Sequence, residues 1–167
     1  MEEATKFINL GIVLNGKGEV LMIRRVKPEE GLAGGILTWA FPGGKQRLTE
    51  SRQECVRREI LAETGYDIKH IKQISLRKHP QIEMWIAYHL CKITSEEPAE
   101  KPMEPHEVAE IRWVKPMGIL SLITTDLDPG VRKELGLMGV EPLKPEARIG
   151  EKLQNKKSVV KKTKKSK

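Results

Sequence analysis

Two apolar runs near the N-terminus, residues 5–14 and 19–26, flank a polar segment at residues 15–18 with the sequence NGKG. Apolar runs on either side of a short glycine-containing turn are typical of a β-hairpin. The next stretch, residues 27–38, is rich in glycine and indicates a loop. The pattern therefore predicts two paired strands followed by a loop.

A helix is predicted after a short extended segment at residues 39–41, which ends in a Pro-Gly-Gly turn. Thr49 is a suitable N-cap residue, and Glu50 would then lie in the first turn, where a carboxylate suits the helix dipole. We expect the helix to continue to about Thr64 and to stop at Gly65, because glycine readily adopts the left-handed conformation of a helix end.

The second half of the chain adds strands and short helices. Residues 82–93 are apolar at both alternating sets of positions, which is expected for a central strand covered on both faces. Residues 94–108 are rich in proline and glutamate and indicate a long loop. The other predicted elements are strands at 67–78 and 109–114 and short helices at 116–124 and 130–137. This order predicts an α/β (α+β) domain with helices packed against a mixed sheet.

The length of 167 residues corresponds to one domain, which we place at residues 1–140. No apolar run approaches the roughly 20 residues that cross a bilayer, and the acidic start lacks the basic region of a secretory signal. The two cysteines, Cys55 and Cys91, are too few and too far apart to predict a disulfide framework or a zinc site. We therefore expect a cytoplasmic (intracellular) protein with reduced thiols and no membrane partner.

The net charge of +7 is concentrated at the C-terminus. The last twelve residues contain seven lysines and no acid, which leaves residues 1–155 close to neutral. Residues 141–167 are therefore predicted to form a lysine-rich, disordered tail. Such a tail could contact nucleic acid weakly through its phosphates, act as a sorting signal, or only improve solubility.

Two acids occupy an unexpected face of the predicted helix. Glu59 and Glu63 are four residues apart, so helical spacing puts both in the middle of the apolar stripe that should meet the core. Like charges one turn apart repel, and burial of unpaired carboxylates is costly. A divalent cation such as Mg²⁺ or Mn²⁺ would compensate both charges. The alternatives are a salt bridge to Arg52 on the same face and a helix rotated so that the pair reaches water. The apolar neighbours of the pair are Cys55, Val56, Ile60 and Ala62, and the residues predicted on the solvent side are Glu50, Glu54, Arg57 and Arg58.

Glycines and cations precede this helix. Gly43 and Gly44 bring bare backbone close to it and leave room for a phosphate or a metal-bound water. Lys45 adds a positive charge, and Arg24 and Arg25 end the second predicted strand. Carboxylates, glycines and cations in one place indicate a substrate that carries phosphate and binds a metal.

Residues 44–66, GKQRLTESRQECVRREILAETGY, resemble the Nudix box, G-x5-E-x7-R-E-U-x-E-E-x-G-U, in which U is a bulky apolar residue. The matching positions are Gly44, Glu50, Arg58, Glu59, Ile60, Glu63, Gly65 and Tyr66. The chain is thus similar to the Nudix hydrolase (MutT-like) family over about residues 6–125. One position departs, because Ala62 stands where the family usually has the first glutamate of its Glu-Glu pair. That glutamate is often a metal ligand, so its loss could weaken metal affinity, change the number of metal ions or abolish activity.

The resemblance implies an α/β/α sandwich around a mixed β-sheet. It also implies Mg²⁺-dependent (or Mn²⁺-dependent) hydrolysis of the diphosphate linkage in a nucleoside diphosphate joined to another group. Our first hypothesis is therefore a pyrophosphohydrolase acting on a nucleoside triphosphate, including a damaged one, with ADP-ribose or another nucleotide sugar as the nearest alternative substrate. The second hypothesis is a catalytically weak Nudix-fold protein that binds nucleotide or RNA, and it is motivated by Ala62 and the lysine-rich tail.

The resemblance also assigns roles to residues. Glu59 and Glu63 would be catalytic metal ligands, with Glu59 also a candidate base, and a backbone carbonyl at Gly43 or Gly44 would complete the metal shell. The residues that would brace the loop and helix are Glu50, Arg58, Gly43 and Gly65. The family often supplies a further carboxylate from a later loop, and here the candidates are Glu104, Glu107 and Glu110, of which Glu107 is the one we choose.

Substrate contacts are expected outside the box. Arg25 and Lys45 could hold phosphates through their charge. Trp39 and Trp85 either stack on a base or belong to the core. His79, at the end of a predicted strand, is a further candidate for contact with the ligand.

Overall fold

The computed structural model of the chain describes residues 6–30, 36–123 and 126–141. The strands are β1 (Phe7–Leu14), β2 (Val20–Glu30), β3 (Ile36–Ala40), β4 (Gly43–Lys45), β5 (Ile68–Lys78), β6 (Trp85–Ile93) and β7 (Val108–Val114). The helices are α1 (Arg52–Thr64), α2 (Pro116–Leu122) and α3 (Pro129–Glu134).

All seven strands belong to one mixed sheet. Its main order is β3-β2-β1-β6-β5, with β4 also paired to β1 and β7 also paired to β2. The pairing of β1 with β6 is parallel, and the other pairings are antiparallel. The predicted mixed sheet is therefore confirmed.

The N-terminal hairpin is confirmed, but its two strands separate almost at once. β1 and β2 pair at Leu14 and Val20 only. One edge of β1 is taken by β6 along its whole length, and the other edge pairs with β4 at Ile8–Leu10. The early separation leaves space for the glycine strand β4 between the two arms of the hairpin.

The prediction of a loop at residues 27–38 is wrong for the part that the structure describes. β2 continues to Glu30 and β3 begins at Ile36, and the two pair antiparallel at Glu29 with Leu37. A register shift between Arg24 and Glu29 interrupts this pairing. Pairing of Glu29 and Glu30 with β3 holds the end of this polar segment extended, although its own sequence does not favour a strand.

Helix α1 begins two residues later than predicted. Its N-cap is Ser51, whose hydroxyl accepts from the Glu54 backbone N–H, while the Glu54 carboxylate accepts from the Ser51 backbone N–H. This reciprocal capping box satisfies two backbone donors, and it replaces the predicted cap at Thr49. The end of the helix at Gly65 is confirmed, with φ +77° in the left-handed region.

Helices cover both faces of the sheet, which confirms the sandwich. Successive residues of β1 point to opposite faces, so that Ile12 and Val13 belong to different cores. Val13 packs with Val56 and Ile60 of α1, and Ile12 packs on the side of α2 and α3. Strand β6 is buried continuously from Ile86 to Cys91, as expected for a strand covered on both sides.

The remaining predicted elements are confirmed in outline or lie outside the residues that the structure describes. The short helices at 116–124 and 130–137 correspond to α2 and α3, although α3 already ends at Glu134. The predicted tail at 141–167 falls almost entirely outside the described residues, and its boundary with the domain stays a prediction. Both cysteines are buried free thiols. Among the helices that the structure describes, none is long and apolar enough to cross a membrane.

The capping box leads to a first test. Ser51→Ala removes the cap of α1 and should lower the free energy of unfolding by about 1 kcal/mol, measured by urea denaturation. Thr49→Ala is the matched control, since no side-chain hydrogen bond of Thr49 is found among the described residues, and it should change stability by less than about 0.5 kcal/mol. A larger loss of unfolding free energy for Thr49→Ala than for Ser51→Ala would show that Thr49 is the N-cap.

Candidate functional site

Three carboxylates meet beside the glycine strand β4. Glu59 and Glu63 come from α1, and Glu104 comes from the loop between β6 and β7. One oxygen of each lies within 4.8 Å of the others. Glu63 is almost fully buried, with 6% of its surface exposed. The two alternatives from the sequence, exposure of Glu59 and Glu63 to water and a salt bridge to Arg52, therefore do not explain how the charge of this pair is compensated.

Arg52, which the sequence suggested as a salt-bridge partner of Glu59 and Glu63, makes other contacts. Its guanidinium donates to the side chain of Gln73 at 2.7 Å and lies 4.0 Å from the centre of the Phe7 ring. These contacts hold the first turn of α1 against β5 and β1. The ion pair that the structure gives to Glu59 instead comes from Arg58.

The two glycines of β4 allow the backbone to come very close to its neighbours. A Cβ atom on Gly44 would lie 2.6 to 2.9 Å from the carboxylate atoms of Glu59. Gly43 has φ +151°, and a Cβ there would lie 2.0 Å from the backbone oxygen of Asn9. Backbone atoms therefore exclude a side chain at residue 43, and a side chain at residue 44 would displace the Glu59 carboxylate. The glycines set the distance between β4 and the acids of α1.

The third acid reaches the cluster because its loop is tied to the end of α1. The Met103 N–H donates to the carbonyl of Ala62 at 2.8 Å. The N–H groups of Ala99 and Glu100 both donate to the carbonyl of Gly65, at 2.9 and 3.1 Å. Glu104, one residue after Met103, is thereby directed to Glu59 and Glu63.

Of the loop acids, the structure places Glu104 and not the chosen Glu107 beside Glu59 and Glu63. The cluster contains Glu104, whereas the Glu107 side chain is 64% exposed, and its N–H and that of Val108 donate to the Glu104 carbonyl in a tight turn. Glu110 is paired with Arg24 and Arg112 on the sheet. A proline- and glutamate-rich loop has no periodicity that would single out one of its acids, so only the contacts of the loop could do so.

The burial of Glu63 dominates the electrostatics of the cluster. Burial, together with the nearby charge of Glu59, raises the pKa of Glu63 to about 8, against weaker opposition from the Gly43 backbone and from Arg25. Glu63 Oε2 is buried and finds no hydrogen-bond partner among the described residues. Burial and the charges of Glu107 and Glu59 also raise the pKa of Glu104. Without a nearby cation, the charged form of Glu63 is therefore disfavoured, and the cluster has few hydrogen-bond donors.

Arg58 connects this cluster to a second acid. It donates to the two oxygens of Glu50 at 2.6 and 2.9 Å and to Glu59 at 2.7 Å. The hydrogen bonds from Arg58 lower the pKa of Glu50 to about 2. Glu50 and Arg58 were predicted on the solvent side of the helix, but their side chains are only 12% and 27% exposed. The two-pronged pair fixes the position of the Arg58 guanidinium, which in turn holds Glu59.

The two predicted phosphate-binding cations have different surroundings. Arg25 pairs with Glu29 at 2.6 Å, and its charge acts on Glu63. Its Nε is buried and has no hydrogen-bond partner within the described part of the chain. Lys45 is exposed at the end of β4.

The two predicted aromatic contacts lie in different surroundings. Trp39 belongs to the core on the side of α2 and α3, where Arg112 lies 4.5 Å from its ring centre. Trp85 is 40% exposed at the start of β6. His79 accepts two backbone N–H groups, from Gln81 and Ile82, and so stabilises its own turn.

The donor set fits a hard divalent cation. Carboxylate oxygens in a group of three, one of them buried without a partner, are the ligands that Mg²⁺ and Mn²⁺ prefer. The Cα of Gly44 faces the Glu59 carboxylate, and the Gly44 carbonyl accepts a weak bond from the Cys55 thiol at 3.5 Å. The same arrangement, with cations at its edge, suits a substrate with several phosphates.

The chain is similar to known proteins over much of its length. The family model described as NUDIX domain matches residues 9–133. An RNA pyrophosphohydrolase of Hamiltonella defensa subsp. Acyrthosiphon pisum (strain 5AT) is 34% identical over 86 residues, which cover 51% of this chain and 45% of that protein. A Bacillus subtilis (strain 168) protein named "Putative 8-oxo-dGTP diphosphatase" is 29% identical over 105 residues, 63% of either chain. The chain thus spans about half to two thirds of the length of these relatives.

A solved structure shows the same architecture. The crystal structure of the MutT protein from Methanosarcina mazei Go1 superposes with a TM-score of 0.54 and 25% sequence identity, over 75% of this chain and 88% of that one. The family match covers most of the described sheet and all of α1, including the three acids of the cluster. The chain therefore belongs to the Nudix hydrolase family.

Proposed function

We propose that this protein is a pyrophosphohydrolase that uses Mg²⁺ or Mn²⁺ to hydrolyse the diphosphate linkage of a nucleoside triphosphate or a nucleoside diphosphate derivative. The observation that carries the proposal is the carboxylate cluster of Glu59, Glu63 and Glu104, in which Glu63 is buried with an unpartnered oxygen. A buried, uncompensated carboxylate next to two others is costly unless a cation joins them.

Each acid has a separate task in this proposal. Glu63 and Glu104 bind the cation, and Glu59 both binds it and accepts a proton from the attacking water. Arg58 donates to one oxygen of Glu59 and thereby orients the carboxylate. The bound metal would neutralise charge on the diphosphate and make a coordinated water more acidic. Arg25, which lies near Glu63, and Lys45 would contact the phosphates.

Glu104 can compensate for the glutamate that the Nudix box usually has at the position of Ala62. The loop that carries Glu104 is bonded to the Ala62 carbonyl, and Ala62 itself is 9% exposed. A methyl group at this position lets the loop lie against the last turns of α1. We propose that the loop carboxylate takes the place of the glutamate that the box lacks at residue 62.

Two substrate classes compete within this chemistry. The first is a free nucleoside triphosphate, including an oxidised one, in keeping with the name of the Bacillus subtilis relative. The second is the 5′ end of an RNA, which is favoured by the RNA pyrophosphohydrolase relative and by the lysines at residues 156–167, whose charge suits phosphates. ADP-ribose and other nucleotide sugars remain alternatives to both.

A substrate panel tests the function. Purified protein with Mg²⁺ or Mn²⁺ is incubated with nucleoside triphosphates, 8-oxo-dGTP, ADP-ribose and a 5′-triphosphorylated RNA, and release of pyrophosphate or phosphate is measured. Metal-dependent turnover of at least one compound supports the proposal. No turnover of any compound, together with salt-sensitive RNA binding that needs residues 156–167, would instead support a binding protein.

Glu63→Gln tests the role of the buried acid. We expect kcat to fall by about two to three orders of magnitude, because an amide cannot supply the lost charge to a cation or to the transition state. Stability in metal-free buffer should be unchanged or higher, since a neutral amide is cheaper to bury. Glu83→Gln is the control, as that side chain is 95% exposed. Wild-type kcat in Glu63→Gln would remove this residue from the site.

The two loop acids can be separated by matched substitutions. Glu104→Gln should weaken Mn²⁺ binding at least tenfold, measured by calorimetric titration, whereas Glu107→Gln should weaken it less than threefold, because only Glu104 reaches the other two carboxylates. A larger effect of Glu107→Gln would reverse the assignment of the third ligand.

A further inference from the structure

A chain of side-chain hydrogen bonds runs through the sheet toward the carboxylate cluster. It begins with His70 Nε2 and His89 Nδ1, which are 2.9 Å apart. His89 Nε2 lies 2.9 Å from Asn9 Oδ1. Asn9 Nδ2 then donates to Gln46 Oε1 at 3.0 Å, and Gln46 Nε2 donates to the Glu50 carbonyl at 3.0 Å. These residues come from β5, β6, β1 and the loop between β4 and α1.

The middle of this chain is fully buried. Asn9 has 0% and His89 has 1% of its surface exposed. Polar side chains in such positions are costly unless their hydrogen bonds are satisfied. Here the partners satisfy them in a single arrangement. Since the Asn9 amide group donates to Gln46, its oxygen must accept, and His89 must therefore carry its proton on Nε2 and accept at Nδ1 from His70.

Burial keeps His89 in the neutral form that this arrangement needs. Burial, together with the nearby charges of His70 and Arg52, lowers the pKa of His89 to about 4. Neutral His89 offers one donor and one acceptor, which match Asn9 and His70. The direction of every donor along the chain is then the same, from β5 toward the loop that follows β4.

The last members of this hydrogen-bond chain, Gln46 and Glu50, belong to the segment that positions the candidate catalytic acid Glu59. The backbone of Asn9 pairs with Gly44, and the N–H of Gln46 donates to the Phe7 carbonyl at 2.9 Å. Gln46 also fixes the carbonyl of Glu50. The carboxylate of Glu50 binds Arg58, and Arg58 binds Glu59.

We propose that His89 is a positioning residue for the cluster, acting through Asn9 and Gln46 on residues 43–50 and through Glu50 and Arg58 on the carboxylate of Glu59. The inference rests on the proposed function, in which Glu59 binds the cation and accepts a proton. It assigns the positioning of Glu59 to a residue on the opposite side of β1. An apolar side chain at position 89 would leave the buried Asn9 Oδ1 without its donor from His89. The polar chain instead gives a unique orientation to the loop beside the acids.

The test compares His89→Phe with His89→Gln. Phenylalanine keeps the ring but removes both nitrogens, whereas glutamine can again donate to Asn9. His89→Phe should lower kcat about tenfold to a hundredfold, since small displacements of catalytic groups have effects of this size, and should weaken Mn²⁺ binding several-fold. His89→Gln should recover a large part of both quantities. Gln46→Met, at a half-buried position where folding is more tolerant, should change them in the same direction as His89→Phe.

Cys91→Ala is the control for loss of packing. Cys91 lies on the same strand and the same face as His89, is fully buried, and donates only to the His89 backbone carbonyl at 3.7 Å. Its substitution should lower the melting temperature without changing kcat or the affinity for Mn²⁺. If Cys91→Ala lowers kcat as much as His89→Phe does, the effect is general destabilisation and the proposal is wrong.

A nuclear magnetic resonance measurement separates this proposal from the proposed function. Nitrogen shifts of the His89 ring should show protonation on Nε2, and the side-chain Nε–H signal of Arg58 should shift in His89→Phe but not in Cys91→Ala. These signals need no substrate, so they test the positioning even if the panel finds no turnover. An unchanged Arg58 signal in His89→Phe, or a His89 ring protonated on Nδ1, would overturn the inference.

Discussion

A carboxylate held almost out of contact with water governs the arrangement of this protein. Glu63 lies beside Glu59 and Glu104, its Oε2 has no hydrogen-bond partner among the described residues, and its pKa is raised to about 8. Removing such a group from water costs several kcal/mol unless an opposite charge compensates it. The fold nevertheless maintains the arrangement with a helix, a glycine strand and a tethered loop. Structure that is destabilising in the free protein and suited to a cation is typical of functional sites.

The glycine strand is what makes so close an approach possible. Backbone without side chains at residues 43 and 44 allows β4 to contact both the Glu59 carboxylate and β1. The early separation of the hairpin arms provides the edge of β1 at which β4 pairs. The loop after β6 then closes the other side, through its bonds to the carbonyls of Ala62 and Gly65. Three segments distant in sequence thus bring their groups to one side of α1.

Two sets of polar contacts bear on the orientation of Glu59. The shorter one consists of Glu50 and Arg58, whose side chains are partly buried and form a two-pronged ion pair. The longer one enters from the opposite side of β1 through His89, Asn9 and Gln46. They meet at Glu50, whose carboxylate belongs to the first set and whose carbonyl accepts from the second. Glu50, which the sequence predicted in the first turn of the helix, lies before α1 and connects the helix to the sheet.

The sequence by itself determined the local elements and the acids of the helix. Helical spacing placed Glu59 and Glu63 on one face, Gly65 marked the helix end, and alternating apolar positions identified the covered strand at residues 82–93. It also contained the Ser51–Glu54 capping pattern, which is a better signal than the Thr49 that we preferred. These features depend on neighbours within about one turn or one strand, so a pattern along the chain is sufficient to predict them.

Tertiary structure alone decided which distant groups meet. The choice of Glu104 over Glu107 depends on backbone bonds to Ala62 and Gly65, and the extension of β2 depends on pairing with β3. The partnership of Asn9 with His89 spans 80 residues, and the only trace of it in the sequence is a polar residue inside an apolar run. Such contacts arise because strand register and loop closure bring together segments whose local sequences carry no record of each other.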